Sequence, residues 1–252
     1  MARRFTAYVG VDYSGAATAH DRLPGLAVYR AAAGRDPERV RPAKGGNWTR
    51  AELHQWLAGQ LAAEPTIAGL DFAFAFPEAY FRRHGLTDWD AFLTDFREHW
   101  PTDAHGVTVD ACRPANPRNG SPAELRLCER WTPAAKSVFR FDVQGAVAKS
   151  THAGLPWLAR LRGELAGQVH FWPFDGFGPA PGKSLVAEVY PALFKRRFPA
   201  EGRNDHQQDA YAVARWLAET DGRGLLDRYL QPPLTPDETE TAHREGWILG
   251  VN

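Results

Sequence analysis

The sequence holds little cysteine. Cys112 and Cys128 are the only two in 252 residues, and neither has a CxxC partner or a histidine at zinc spacing, which excludes a disulfide framework and a thiolate metal site. It also lacks an excess of either charge. The 30 Lys and Arg balance 30 Asp and Glu, so no overall basic field attracts a polyanion, and any nucleic acid must be held by a local patch or through metal. Long apolar runs are missing as well. Gly, Pro, Arg and Asp interrupt every stretch before it reaches the roughly 18 residues that span a bilayer. The run Phe5 to Val11, after the basic start Met1 to Arg4, is too short and too soon broken by Asp12 for a signal peptide. A soluble, reduced, cytoplasmic chain with no membrane partner is expected. No internal repeat occurs. With 44% apolar residues, 23 Gly and 19 Pro, the composition is neither collagenous nor disordered, and the length suits one large domain or a domain with an insertion.

What is present reads as an α/β chain. Thr6 to Asp12 is a β-rich run closed by the turn Tyr13-Ser14-Gly15, and Leu26 to Tyr29 and Arg39 to Pro42 continue as short strands of a meander. Thr49 with Glu52 opens a helix whose apolar positions Leu53, Trp56, Leu57 and Leu61 run to Pro65. Ile67 to Phe76 is nearly all apolar, as a strand buried on both faces would be, with Asp71 in its middle. Residues 78–183 read as a long α-rich insertion. It has helices over Trp89 to Trp100, from the capping box Ser121 to Glu124 as far as Trp131, and over Leu155 to Leu165, then an edge strand Val169 to Phe171. Leu185 to Tyr190 is another buried strand, carrying Glu188, and a helix after Asn204 has Ala210, Val213, Ala214 and Leu217 as its core stripe. The core is therefore expected at 1–77 and 184–231, with a C-terminal tail at 232–252 forming a helix over Asp237 to Leu249 that packs Trp247 and Ile248 onto the body. Residues 219–245 carry seven acids and three bases, so the remainder is mildly basic.

The acids are the informative feature. Asp12, Asp71 and Glu188 each sit alone in an apolar strand, and Asp209 lies beside the stripe of the last helix. A lone buried carboxylate is costly unless paired, hydrogen-bonded or bound to a cation. If these strands are neighbours, the acids meet at one site where Mg²⁺ or Mn²⁺, ions that favour oxygen ligands, would neutralise their repulsion. Two such ions about 4 Å apart are the apparatus for in-line displacement at phosphorus, which implies phosphodiester hydrolysis. Structural readings stand beside each: a turn for Asp12, an Arg partner for Asp71, solvent for Glu188. Asp205 with Gln208 forms an N-terminal capping box, leaving Asp209 as the chemical acid of that helix.

The fragments Gly10-Val11-Asp12-Tyr13-Ser14-Gly15, GLDFAFAFP (Gly69 to Pro77), FWPFDG (Phe171 to Gly176), AEVYPALF (Ala187 to Phe194) and Asp209-Ala210, in this order, resemble the ribonuclease H-like superfamily. The resemblance is to its RuvC-like branch, and within it to a bacterial family of predicted RNase H-like nucleases. It runs from about residue 6 to 217 and implies a mixed β-sheet flanked by helices and a metal-dependent nuclease. By that likeness Asp12, Asp71 and Asp209 would be metal ligands and Glu188 a further ligand or a supporting acid, and His206 occupies the position, three before the final Asp, where RuvC-like enzymes can carry an acid or His. From the residues alone Asp205 is an additional candidate ligand and His206 a candidate proton shuttle, or simply exposed in the first turn. The long insertion departs from a minimal core, so substrate geometry does not carry over.

Lys195-Arg196-Arg197 would grip phosphates near such metals, as would Ser14 in the exposed turn and Lys149. Trp157, Arg160 and Arg162 with Lys149-Ser150-Thr151 would add a stacking wall, although a tryptophan at helical spacing commonly belongs to a core. Gly182-Lys183-Ser184 is no P-loop, because the first glycine is missing and a strand follows. Ser14 lacks a GxSxG elbow. Two alternatives remain. An ATP-using phosphotransferase of the actin and sugar-kinase type shares the core and the Asp-x-x-Gly turn but needs two copies of it, and a non-catalytic RNase H-like module would bind nucleic acid or protein without cutting.

Overall fold

The structure is a computed structural model that describes residues 3–132, 135–143 and 147–252. Strands β1 (Ala7–Asp12), β2 (Ala27–Ala32) and β3 (Glu38–Arg39) form an antiparallel meander. Helix α1 (Arg50–Ala63) starts at the expected capping box, with Thr49 and Glu52 satisfying each other's backbone N–H groups, and returns the chain to β4 (Thr66–Asp71), parallel to β1. The intervening region contributes α2 (Glu78–His84), α3 (Trp89–His99), α4 (Val109–Cys112), α5 (Leu127–Arg130) and α6 (Ala148–Glu164). Then come β5 (Val169–Trp172), β6 (Ser184–Val189), α7 (Asp205–Gly222), α8 (Leu226–Leu230), α9 (Pro236–Glu245) and β7 (Ile248–Leu249). The result is a mixed seven-stranded sheet of order β3-β2-β1-β4-β6-β5, with β7 also paired to β6, covered by helices on both faces.

Alternation along the strands decides what each face buries. Val9, Val11, Ala68, Leu70 and Val186 join a core with Leu53 and Leu57 of α1, Phe92 and Phe96 of α3, and Leu158 of α6. Tyr8, Ile67, Leu185, Ala187 and Val189 face Val213, Trp216 and Leu217 of α7, together with Leu226, Leu230 and Trp247. The α-rich insertion therefore shares the sheet's own core and supplies its edge strand β5. The tail supplies β7.

Two glycines set how closely α7 approaches. A Cβ on Gly10 would lie 2.1 Å from the carbonyl oxygen of Ala210, and one on Gly69 would lie 2.7 Å from the Val213 side chain. Neither approach is tolerable, so α7 lies directly against β1 and β4 only because both positions are glycine.

Several boundaries differ from the sequence reading. β4 ends at Asp71 rather than Phe76, because Phe72 N–H turns back to Leu70 O at 3.0 Å. The following backbone is held by side chains: Ala73 N–H donates to Thr151 Oγ1 at 3.0 Å and Phe74 N–H to Glu188 Oε2 at 3.1 Å. The apolar run belongs to a buried loop, and Asp71 stands at a strand end. The Ser121 box opens no helix: Glu124 accepts from Ser121 N–H at 3.3 Å, but the Ser121 hydroxyl accepts from Ala123 N–H instead of from Glu124 N–H, and Arg83 holds the Glu124 carboxylate at 2.7 and 3.1 Å. Helix α6 begins seven residues before the expected start and carries Pro156 inside it. The carbonyl of His152, which the proline leaves without its helical donor, accepts from Thr102 Oγ1 at 2.7 Å. The cap of α7 is Asn204, whose Oδ1 accepts from Gln207 N–H at 2.9 Å. Asp205 is thus the first helical residue, while Gln208 turns away to Phe198 O at 2.8 Å. The tail helix stops at Gly246, and Ile248 and Leu249 pair as strand instead of continuing it. Among the described residues no helix is long and apolar enough to cross a membrane.

Candidate functional site

Asp12 and Asp71 are register partners at the carboxyl ends of the parallel strands β1 and β4. Each lies two residues beyond the glycine that admits α7, so by the period of two each side chain projects from the α7 face. Helix α7 adds Asp209, the neighbour of the Ala210 that touches Gly10. The three aspartates thereby line one end of a cleft of about 800 Å³, together with Asp205, His206, Lys195 and Tyr190. Helix α6 closes the opposite side. The turn at Gly15 lies so close to it that a Cβ there would stand 2.1 Å from Lys149 O, and Ser150 Oγ donates to Tyr13 O at 2.8 Å.

The electrostatics of the three acids are alike in sign. Burial pushes the Asp12 carboxyl above its usual range, against the pull of His206, whose Nδ1 lies 2.6 Å from Oδ2. Burial also pushes Asp71 well above its range, and Asp12, Asp209 and Glu188 add repulsion. Among the described residues no donor reaches the Asp71 carboxylate. Asp209 is raised by burial too, opposed by Lys195. Lys195 Nζ donates to Oδ2 at 3.2 Å and lies 2.9 Å from Oδ1, yet Oδ1 is buried without an aligned hydrogen bond. His206 is raised, chiefly by its hydrogen bond to Asp12. Three carboxylates in one place, Asp12 and Asp209 each with one cationic partner and Asp71 without a donor among the described residues, form a site short of positive charge.

Hard oxygen donors under mutual repulsion suit Mg²⁺ or Mn²⁺, and on that criterion Asp12, Asp71 and Asp209 fit such an ion. Among the described residues, however, no three His, Cys, Asp or Glu side chains stand grouped as a ready-made metal cage. His206 and Lys195 occupy part of the space on Asp12 and Asp209, and both would have to loosen around a cation.

Glu188 lines the same cleft but reaches it from the other face of the sheet. It is the register partner of Leu70, so it projects from the opposite face to Asp71. There Arg126 grips it with Nη2 at 2.5 Å from Oε1 and Nη1 at 2.7 Å from Oε2. Arg126 also binds Glu129 Oε1 at 2.9 Å and the Glu245 carbonyl at 3.2 Å. The Glu245 carboxylate in turn accepts from the backbone N–H of Leu127 at 2.5 Å and from that of Glu78. All four side chains are buried. Glu188 is accordingly the sheet's end of an ion-pair junction that joins the insertion, β6 and the tail, with both its oxygens already occupied.

The other expected residues divide. Ser14, Lys149, Lys195, Asp205 and His206 line the cleft. Arg196 and Arg197 are exposed and outside it, and Arg197 pairs with Glu219 at 3.1 Å. Trp157, Arg160 and Arg162 also lie elsewhere: Trp157 packs on His54, Arg160 pairs with Asp103 at 2.6 Å and Arg162 with Asp175 at 2.6 Å. Sequence reading missed Lys136, Arg140 and Tyr190, which line the cleft. Lys136 and Arg140 come from a stretch without periodicity, and only the tyrosine, inside AEVYPALF, had a signal. Comparison with known proteins adds no relative, for no family model, curated protein or solved structure matches the chain.

Proposed function

We propose that the chain is a divalent-metal-dependent nuclease on a ribonuclease H-like core. The observation that carries this reading is the convergence of Asp12, Asp71 and Asp209 from two strand ends and one helix onto a single cleft. Asp12, Asp71 and Asp209 would hold Mg²⁺ or Mn²⁺, which when bound supplies an activated water and stabilises the leaving oxygen of a phosphodiester. Asp71, free of any donor among the described residues, would hold the ion together with Asp12 and Asp209. His206 holds Asp12 through Nδ1 and leaves its other ring nitrogen for proton movement, since its side chain is 56% exposed. Lys195 neutralises Asp209 and offers its ammonium to a phosphate.

The test is cleavage of labelled oligonucleotides with Mg²⁺ or Mn²⁺. Asp12→Asn and Asp71→Asn should each abolish metal-dependent cutting while leaving the fold intact by circular dichroism, and unchanged turnover would refute the reading. A second reading, a binding module without catalysis, is favoured by one specific arrangement: His206 and Lys195 already partner two of the acids. Calorimetry separates the two. Mn²⁺ binding that is lost in Asp71→Asn supports the nuclease, and no heat with any divalent ion supports the module.

A further inference from the structure

The walls of the cleft bear on what it admits, an inference that rests on reading the acids as a phosphodiester-cleaving centre. The Asp12 and Asp209 side chains are only 12% and 19% exposed, so a scissile phosphate must descend into the cleft to reach them. The cleft, about 800 Å³, has the size that holds one drug-sized ligand, equivalent to a few nucleotides at most. An intact duplex, stiff over a length of about 150 base pairs, does not bend down to acids recessed in this way as a flexible strand does.

Positive charge stands on both sides of this acidic floor. Lys136, Arg140 and Lys149 come from the insertion side and Lys195 from the segment after β6. Among the described residues Lys136 pairs with no acid, while Arg140 meets Asp142 loosely at 3.5 Å and Lys149 meets Asp110 at 2.7 Å. Exposed pairs of this kind are weak, so a phosphate can take over the cation at little cost. Asp142 and Asp205 also line the cleft and oppose a polyanion, which favours a substrate held at a few phosphates over one gripped along its length. Tyr190, half-buried, lines the same cleft as the acids and supplies an aromatic ring. A basic groove with an aromatic platform is the combination that binds single strands without regard to sequence.

We propose that the cleft is a single-strand site: it takes a flexible segment of single-stranded DNA or RNA, with Lys136, Lys149 and Lys195 on its phosphates and Tyr190 against a base, and it excludes an intact duplex. The test is fluorescence anisotropy of the full-length protein with labelled oligothymidylate and oligouridylate of about 12 nucleotides, a length within the span of single-strand sites, and with the matching blunt DNA duplex, in Ca²⁺ buffer. At least one single strand should bind about tenfold or more tightly than the duplex. Tyr190→Leu should weaken that binding about tenfold, as loss of one stacked base does, while Tyr190→Phe retains it. Lys136→Glu should lower both the affinity and the salt slope, the slope by about 0.7 for each phosphate no longer neutralised. Equal or tighter duplex binding overturns the proposal, as does binding that neither Tyr190→Leu nor Lys136→Glu changes, or no binding of either strand. Tight single-strand binding without cleavage in Mg²⁺ or Mn²⁺ refutes the nuclease and leaves the single-strand site standing.

Discussion

Asp71→Asn is expected to destroy function and to stabilise the metal-free protein. Asp71 is the one acid of the three that no donor reaches among the described residues, and it faces Asp12 in register across two strands about 4.8 Å apart. Two unit charges near 5 Å with an effective dielectric of about 20 repel by roughly 3 kcal/mol. Partial exposure and the His206 and Lys195 charges screen this, so a net gain of about 1–2 kcal/mol is expected from neutralising Asp71. For a chain of this length that corresponds to a rise in Tm of about 2–8 °C. The pH dependence has a definite sign. An acid whose folded pKa is raised binds more protons folded than unfolded, so wild-type stability in chelator falls as pH rises from the usual carboxylate range through the folded titration. Asn at this position removes that part of the fall. The assay is thermal or urea unfolding in chelator from about pH 4 to pH 8, then again with Mn²⁺, which should stabilise wild type and leave the variant unmoved. A variant less stable than wild type at neutral pH without metal would refute the reasoning, because it would mean the Asp71 carboxylate already has a favourable partner.

Arg126→Met should cost about 3–5 kcal/mol in urea unfolding, the penalty for leaving buried acids without their cation, because Glu188 and Glu129 both lose it. The folded fraction should keep wild-type Mn²⁺ affinity by calorimetry, whereas a Mn²⁺ affinity that falls with the ion pair would return Glu188 to the ligand set. Gly10→Ala should destabilise by at least the 1–3 kcal/mol of ordinary overpacking, since the new Cβ meets a backbone oxygen of α7 that has nowhere to move. A wild-type melting curve for Gly10→Ala would show that α7 does not lie directly on β1.

The parts of the fold legible in the sequence are those where local chemistry and tertiary packing agree. The Thr49 and Glu52 box, the stripe of α7 and the apolar runs of β1 and β6 needed no partner to be recognised, and each element stands where its signal lies. The misread segments are those where a remote group overrides the local one. Phe72 to Phe76 is as apolar as a strand, but Glu188 and Thr151 take its N–H groups. Ser121 to Glu124 has the letters of a helix start and Glu124 does accept from Ser121 N–H, but Arg83 holds the glutamate as well and no helix begins before Leu127. Pro156 would end a helix in isolation, and Thr102 supplies the donor that lets α6 pass through it. None of these donors or acceptors is near in sequence to the group it redirects.

The same distinction explains the site. Gly10-Val11-Asp12 and Gly69-Leu70-Asp71 carry one pattern, glycine two places before aspartate at a strand end. In both, the glycine makes room for α7 and the aspartate projects beside it on the same face. Close packing of one helix therefore brings three carboxylates together, because Asp209 travels with the Ala210 backbone that the first glycine admits. Glu188 has no such glycine, since Val186 stands two places before it, and its side chain belongs to the other face with Val186 and Leu70. A single acid in an apolar strand is the same signal in all three strands when strands are read one at a time. Parity against the packed helix separates them: Asp12 and Asp71 project from the α7 face, and Glu188, which lines the same cleft from the other face, is satisfied by an arginine brought from 62 residues away.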